Sequence, residues 1–587
     1  MKELKYLFKF YKKYRWRFAL GTLFVVTSNI FAIYPAIYTR KAFDAAKDAI
    51  VFSQNNIYDF SNLTSKLLYF GIMIILFAFL KGAFMFFMRQ TIIVMSRLIE
   101  FDIKNEIFKH YQNLDRSFYK KNNTGDMMAR ISEDVTKVRM FLGPATMYPI
   151  NMISLFLLVI YNMFTINIKL SLYVLAPLPI MSITIFFISK IINIKSEKVQ
   201  YQLSVLSTIT QESFSGIRIL KSFVNEKLNL NIFKKHTNEY LNRNVSLAKT
   251  NAAFFPFMLL LIGLSTLLTI YIGGKESIAG NISSGNIAEF IIYVNMLTWP
   301  MASIGWVTAI IQRAAASQKR INEFLKTETQ FNLKDGINHI FKDKISFKNV
   351  DFIYPDSNIK ALKNISFEIK FGQSIGIVGK TGSGKSTIVN LLSRMYNTTS
   401  GSIEIDNINI SKINLNKLRS QISLVPQEDL LFSDTISNNI AFGSREKISQ
   451  KEIEISSKKS AIHDNIVNFP LGYQTLVGER GVTLSGGQKQ RVSIARALIR
   501  NSKILIFDDC MSAVDNLTEK EILKSLKIES KEKTTIIISH RISSVQHVEK
   551  IIFIDGGKIA EIGTHEKLLE MGGLYYKMYQ NQISRIV

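Results

Sequence analysis

One cysteine, Cys510, stands in 587 residues, so an intrachain disulfide framework and any cysteine-rich zinc site are excluded. The seven histidines are scattered and show no metal-ligand spacing. Acid is also short, at 46 Asp+Glu against 73 Lys+Arg for a net +27. Yet charged residues are only 20% of the chain and hydrophobic ones 47%, which rules out a disordered polyelectrolyte. The length allows roughly three to five ordinary domains or fewer large ones. A basic excess of this size points to nucleic acid, to an anionic membrane surface, or to an orientation signal in a membrane protein. Where the charge sits decides among them.

The charge is uneven. Residues 1–330 hold 38 basic and 19 acidic side chains, and the remainder only 35 and 27. The first part also carries six stretches near membrane length, about 20 mostly apolar residues: 17–39, 66–88, 142–165, 170–192, 253–274 and 287–311. The first is too long for a signal-peptide core and no small-residue cleavage pattern follows it, so it is read as an uncleaved anchor after an amphipathic element over 1–16. Lys and Arg number seven in 1–17, ten in 89–141 and ten in 190–250, whereas 40–64 has three, balanced by three acids. The basic segments therefore share one side, expected to be cytoplasmic, with both termini. The excess is a topology signal, and a nucleic-acid partner is not expected.

The second and fourth connections are long and amphipathic, so the helices are expected to run on beyond the bilayer. Asn123-Thr124-Gly125-Asp126 reads as a turn in one, and Ser215-Gly216 as a break in the other. Lys81, inside the second span, either faces a polar cavity or snorkels to the headgroups. A linker is expected over 313–344 and a second domain over 345–587.

The second part begins its chemistry at Gly379-Lys380-Thr381-Gly382-Ser383-Gly384-Lys385-Ser386, a full G-x-x-x-x-G-K-[ST] pattern. It follows the apolar run Ile375–Val378 and precedes a helical run from Thr387, the strand–loop–helix context that a phosphate cradle requires. Lys385 is placed to hold the outer phosphates, and the Ser386 hydroxyl to ligate Mg²⁺. Downstream, Ile504-Leu505-Ile506-Phe507-Asp508-Asp509 reads as a buried strand ending in two acids, one for the metal and one for the attacking water. Between them, Leu484-Ser485-Gly486-Gly487-Gln488 opens a second helix with a hydroxyl and two glycines. One nucleotide does not need two such caps; a second copy of the domain, facing the first, would.

With these residues in place the sequence resembles the ATP-binding cassette exporters that fuse one six-helix membrane domain to one nucleotide-binding domain. The resemblance covers essentially the whole chain. Residues 379–386 and 504–508 match the family's Walker A and B segments, and 484–488 its signature. It implies ATP and Mg²⁺ as cofactors, a second half-transporter as partner, and a bilayer around the first domain. Implied nucleotide contacts are Tyr354, Gly379, Lys380, Thr381, Gly382, Ser383, Gly384, Lys385, Ser386 and Thr387, with Leu484, Ser485, Gly486, Gly487, Gln488 and Asp515 offered across a dimer. Ser386, Gln427 and Asp508 are implied at the metal, and Asp509, His540 and Gln427 in catalysis. Val477-Gly478-Glu479-Arg480-Gly481 resembles the exporters' cross-talk loop; Thr124-Gly125-Asp126 and Gly216-Ile217-Arg218 match segments beside the coupling helices.

One residue departs from the pattern. Where the family usually has Glu after Walker B, this chain has Asp509, followed by Cys510-Met511. Asp draws the carboxylate back by about 1–1.5 Å, and a misplacement of about 1 Å can cost on the order of 100-fold in rate. With an intact signature beside it, this pattern resembles the slow-site subunit of heterodimeric exporters. The alternatives are a homodimeric lipid or drug exporter in which Asp509 is competent, and a membrane protein that ATP gates. The aromatic, Met-rich spans fit a hydrophobic or amphipathic cargo or a lipid-facing surface. The expected fold is an all-α membrane domain with long cytoplasmic extensions, then an α/β P-loop ATPase domain.

Overall fold

The computed structural model describes residues 2–53, 60–329, 331, 335–478, 481, 483–529 and 532–584. It divides into two compact units, one of Met1–His110 with Gly125–Thr327, the other of Tyr111–Thr124 with Glu328–Val587.

In the first unit, among the described residues, six helical stretches are long and apolar enough to cross a membrane. They are built on α1 (Arg15–Ser53), α2 (Phe60–Asn113), α3 (Pro144–Ile166), α4 (Pro177–Ser215), α5 (Glu226–Ile278) and α6 (Ser284–Leu325). In α2, α4 and α5, at 54, 39 and 53 residues, continuous helix runs about twice the hydrocarbon thickness or more, which bears out the expected extensions. α4 and α5 pack along each other, while α1 lies against α3 and α6. Their shared core holds Val159, Met181, Phe290, Tyr293 and Leu297. Outward-facing Ile75, Phe79, Phe186 and Leu260 are exposed, as lipid-facing side chains are. A polar network links α1 to α6: buried Glu289 accepts from Arg40 at 3.2 Å and Tyr293 at 2.8 Å. The short helix over Lys2–Leu7 is tied to α2 by Tyr6, which donates to Glu106 at 2.5 Å, and that over Phe8–Lys13 by Lys9–Glu106 (2.8 Å) and Lys13–Asp102 (2.6 Å).

Two local expectations differ from what forms. The chain turns at Asn122-Asn123, and Thr124-Gly125-Asp126 opens a helix over Thr124–Ala129, with Asp126 paired to Arg130 at 2.6 Å. α6 continues to Leu325, into the expected 313–344 linker, because Ile321 and Phe324 are still buried there.

The second unit contains a six-stranded sheet ordered β10-β9-β3-β8-β7-β6, with β10 alone antiparallel. Its strands are β3 (Ser374–Val378), β6 (Ile422–Val425), β7 (Ile504–Asp508), β8 (Thr534–Ser539), β9 (Lys550–Asp555) and β10 (Lys558–Gly563). A second, antiparallel sheet runs β2-β1-β4-β5, with β1 (Lys344–Ile353), β2 (Lys360–Lys370), β4 (Ser400–Ile405) and β5 (Ile408–Asn409). The continuous apolar runs follow from burial on both faces. Ile377, Ile506, Ile536 and Ile538 enter one core, and the alternate residues Val378, Phe507, Ile537 and Phe553 enter the other. Register pairs Val378 with Ser539 and Asp508 with Ile538, so the C-terminal ends of β3, β8 and β7 lie side by side. In open α/β sheets that edge is where ligands bind.

Candidate nucleotide site

The loop from Gly379 to Gly384 leaves β3 and enters α7 (Lys385–Leu392). Gly384 caps the helix at φ 104, and a Cβ there would meet the Ala361 carbonyl at 2.6 Å, so only glycine lets the backbone turn. Lys380, Thr381 and Gly382 are exposed at its tip, while Ser383 is buried and its Oγ has no hydrogen-bond partner among the described residues. Lys385 Nζ donates to the carbonyls of Gly379 and Lys380, both at 2.8 Å. Burial holds its ammonium below the usual lysine range, against the pull of Asp509 and Asp508. An orphaned hydroxyl, a concave glycine loop and a desolvated cation fit the polyphosphate of ATP.

Ser386 Oγ donates to Asp508 Oδ1 at 2.8 Å. Burial pushes the Asp508 carboxyl above its usual range, opposed by the Ser386 bond and reinforced by Asp509. A divalent cation here would reverse that cost, and a hydroxyl with a carboxylate is the oxygen donor set Mg²⁺ takes. Asp509 follows β7 at φ 51, a left-handed turn that Asp tolerates, and both its oxygens lie near His540 Nδ1, at 2.8 and 3.0 Å. Gln427 is exposed in the loop after β6. Two residues on, burial pushes the Asp429 carboxyl up to about 6, against Ser493 and Arg496. Tyr354 is half-buried, with its hydroxyl 3.0 Å from Thr387 Oγ1 and its ring edge-on to Phe352 and Tyr396.

Ser485 caps α8 (Gly486–Leu498), and Gln488 returns the bond in a capping box. Gly487 packs so close to the next segment that a Cβ would lie 2.8 Å from the Ala513 carbonyl. Gln490 fastens α8 to that segment through Ser512 (3.3 Å) and Ala513 N (3.1 Å). Asp515 accepts from the backbone of Leu517 and Thr518 and so caps α9 (Asn516–Glu529). The Leu484 side chain is 6% exposed and packs with Leu431, Ile436 and Val492. Its side chain belongs to the core that seats the start of α8. Glu479 and Arg480 lie outside the described residues; Val477 is buried and Gly481 takes φ 76.

The sequence missed two cations. In the Tyr111–Thr124 segment, Arg116 donates to Asn390 Oδ1 on α7 at 2.6 Å. Lys120 pairs with Asp356 at 2.7 Å and lies 4.9 Å over the Tyr354 ring. A Lys-Lys pair at an excursion tip was the available signal, but its partners are more than two hundred residues away.

A P-loop strand and helix, two acids at the next strand end, a histidine beside them and a second capped helix define a cassette-type ATPase, here carried behind six membrane helices. Residues 18–301 match the family model described as the ABC transporter transmembrane region, and 362–512 the model described as ABC transporter. The chain is 35% identical to the Bacillus subtilis protein named probable multidrug resistance ABC transporter ATP-binding/permease protein YheI, over 99% of this chain and 97% of that one. It is 33% identical to the ATP-dependent lipid A-core flippase of Syntrophus aciditrophicus, over 87% and 84%. A solved bacterial Atm1-family ABC exporter with ATP bound superposes with a TM-score of 0.80 at 26% identity, covering 97% of this chain and 98% of that one. The chain belongs to the ABC exporters, with an N-terminal transmembrane domain fused to a C-terminal ABC ATPase domain.

Proposed function

We propose that this chain is one half of a heterodimeric ABC exporter that moves a hydrophobic or amphipathic substrate across the cytoplasmic membrane, with both termini inside. The observation that carries the pairing is Asp509 in place of the usual Glu, in a chain whose signature helix has a complete N-terminal capping box. Its own P-loop site, Tyr354 and residues 379–387, would hold ATP and hydrolyse it slowly. Ser485, Gly486, Gly487, Gln488 and Asp515 would complete the partner's site. Lys385 would hold the outer phosphates; Ser386, Asp508 and Gln427 would hold Mg²⁺, which when bound neutralises developing charge on the transferred phosphoryl. Asp509 and His540 would orient the attacking water. The names of the multidrug and lipid-flippase relatives support an amphipathic cargo. The elbow would be 1–16, the membrane domain 17–312, a linker 313–344 whose first part continues α6 to Leu325, and the ATPase domain 345–587.

The conformational cycle follows from differential affinity: ATP shifts the protein only by as much as it prefers the closed pair of nucleotide domains. Lys120 and Arg116, bound beside Tyr354 and on α7, are the residues through which closure would reach the helical extensions. A homodimer has one observation in its favour, the direct Asp509–His540 contact. The deciding measurement is ATPase activity of the chain alone in nanodiscs. Slow turnover, restored by a partner carrying Glu, is expected; brisk turnover lost on Asp509→Ala would sink the heterodimer. ATP-driven uptake into inside-out vesicles separates a pump from a gate.

A further inference from the structure

At the opposite ends of β3 and β8 from the phosphate loop, α9 and residues 543–548 line an open-mouthed cavity of about 650 Å³. That volume suits a drug-sized molecule. Its floor is apolar, with Leu523, Ile537 and Val548. Its rim is cationic: Lys520, Lys524 and Lys527 all line it, and their spacing of four and three residues puts them on one face of α9. Thr535, also in the lining, is 2% exposed, and its Oγ1 has no hydrogen-bond partner among the described residues. A buried hydroxyl left unmet is costly, and a ligand's polar atom would satisfy it. The one acid in the lining, Glu519, is 2% exposed and already accepts from Ser544 Oγ at 2.5 Å and Arg541 at 3.4 Å.

We propose that this cavity binds an amphipathic anion, a small molecule with a carboxylate, phosphate or sulfonate head and an apolar body, and that its occupancy alters ATP turnover. The head would meet the lysine rim, and the body would cover Leu523 and Ile537. The link to the nucleotide site is short. Glu519 holds Ser544 and Arg541, Arg541 donates to the Ser512 carbonyl at 2.9 Å, and its neighbour His540 contacts Asp509. The regulatory half of the proposal rests on the ATPase reading above; the binding half does not.

The test uses the full chain in phosphatidylcholine nanodiscs without nucleotide, titrated with naphthalene-2-carboxylate and followed by saturation-transfer NMR. A second arm with decanoate separates a lipid-derived source from a soluble aromatic one. Saturable binding is expected, weakened about tenfold for the neutral naphthalene-2-methanol and in Lys520→Glu/Lys524→Glu. It should be lost in Leu523→Trp, which fills the cavity while leaving ATP affinity unchanged. Equal binding of the neutral alcohol, or binding that survives both variants, overturns the site. In the turnover assay with the partner present, the acid should change the ATPase rate about twofold or more, and Leu523→Trp should abolish that response. Saturation without a change in rate overturns the regulation while the site stands.

Discussion

The second unit carries two helices whose N-termini are built to face an anion, and they are furnished differently. At α7 the cap is a glycine at φ 104, the first residue is Lys385, and Asp508 sits 2.8 Å from Ser386. At α8 the cap is a serine hydroxyl engaged with Gln488, packed on Ala513, and its first turn brings no acid. The first end fits both phosphate and metal; the second brings a hydroxyl, a dipole and N–H groups but no carboxylate for a metal. On the proposed reading, the α8 end would be a finishing surface for a nucleotide already held elsewhere, and a chain that owns one of each would gain full use of both only by facing a second nucleotide domain.

The comparison can be broken or sharpened by substitution. Ser485→Glu puts a negative charge where the partner's nucleotide is expected, and should lower turnover of the assembled pair by roughly 100-fold or more while ATP affinity at Lys385 holds. Turnover by stopped assay and affinity by a fluorescent ATP analogue read the two separately. Lys385→Ala should do the opposite, weakening that affinity by about 100-fold through loss of a desolvated cation. Asp509→Glu should raise turnover at this chain's own P-loop by about tenfold, since one methylene advances the carboxylate; no gain would argue that Asp509 is already well placed.

Smaller effects concern stability. Asp429 has its carboxyl raised to about 6 by burial, so the folded state binds its proton more tightly than the unfolded chain. Stability from this group is full below its unfolded value near 4 and is lost as pH rises through about 6. Asp429→Asn should therefore flatten the pH dependence between about 4 and 7 and stabilise the protein at pH 8 by up to about 3 kcal/mol, about 1.4 kcal/mol for each of roughly two pKa units. Ser485→Ala, removing only the cap, should cost about 1 kcal/mol, or roughly 2–4 °C in melting temperature.

Much of this architecture was legible because its signals are local. Membrane spans announce themselves as apolar runs, and Gly379–Ser386 names its own strand, loop and helix. What was not legible depends on pairing across the chain. Ser386 and Asp508 are 122 residues apart, and only the β3-β8-β7 strand order brings them together. Leu484 reads as part of a ligand-facing motif, yet burial among Leu431 and Val492 claims its side chain. α6 runs on into the expected 313–344 linker because burial of Ile321 and Phe324 extends the helix beyond its apolar run. Lys120 gave no hint of Tyr354, since a cation over a ring has no sequence period.

The placement of Tyr111–Thr124 with the nucleotide unit has a consequence for biosynthesis. Arg116 and its partner Asn390 are 274 residues apart. At about 5–20 residues per second, the ribosome delivers Asn390 roughly 15–55 s after Arg116. Through that interval the segment leaves the ribosome with its docking surface still unmade. The Arg116 and Lys120 contacts can therefore form only late in synthesis, although their segment is made ahead of four of the six spans.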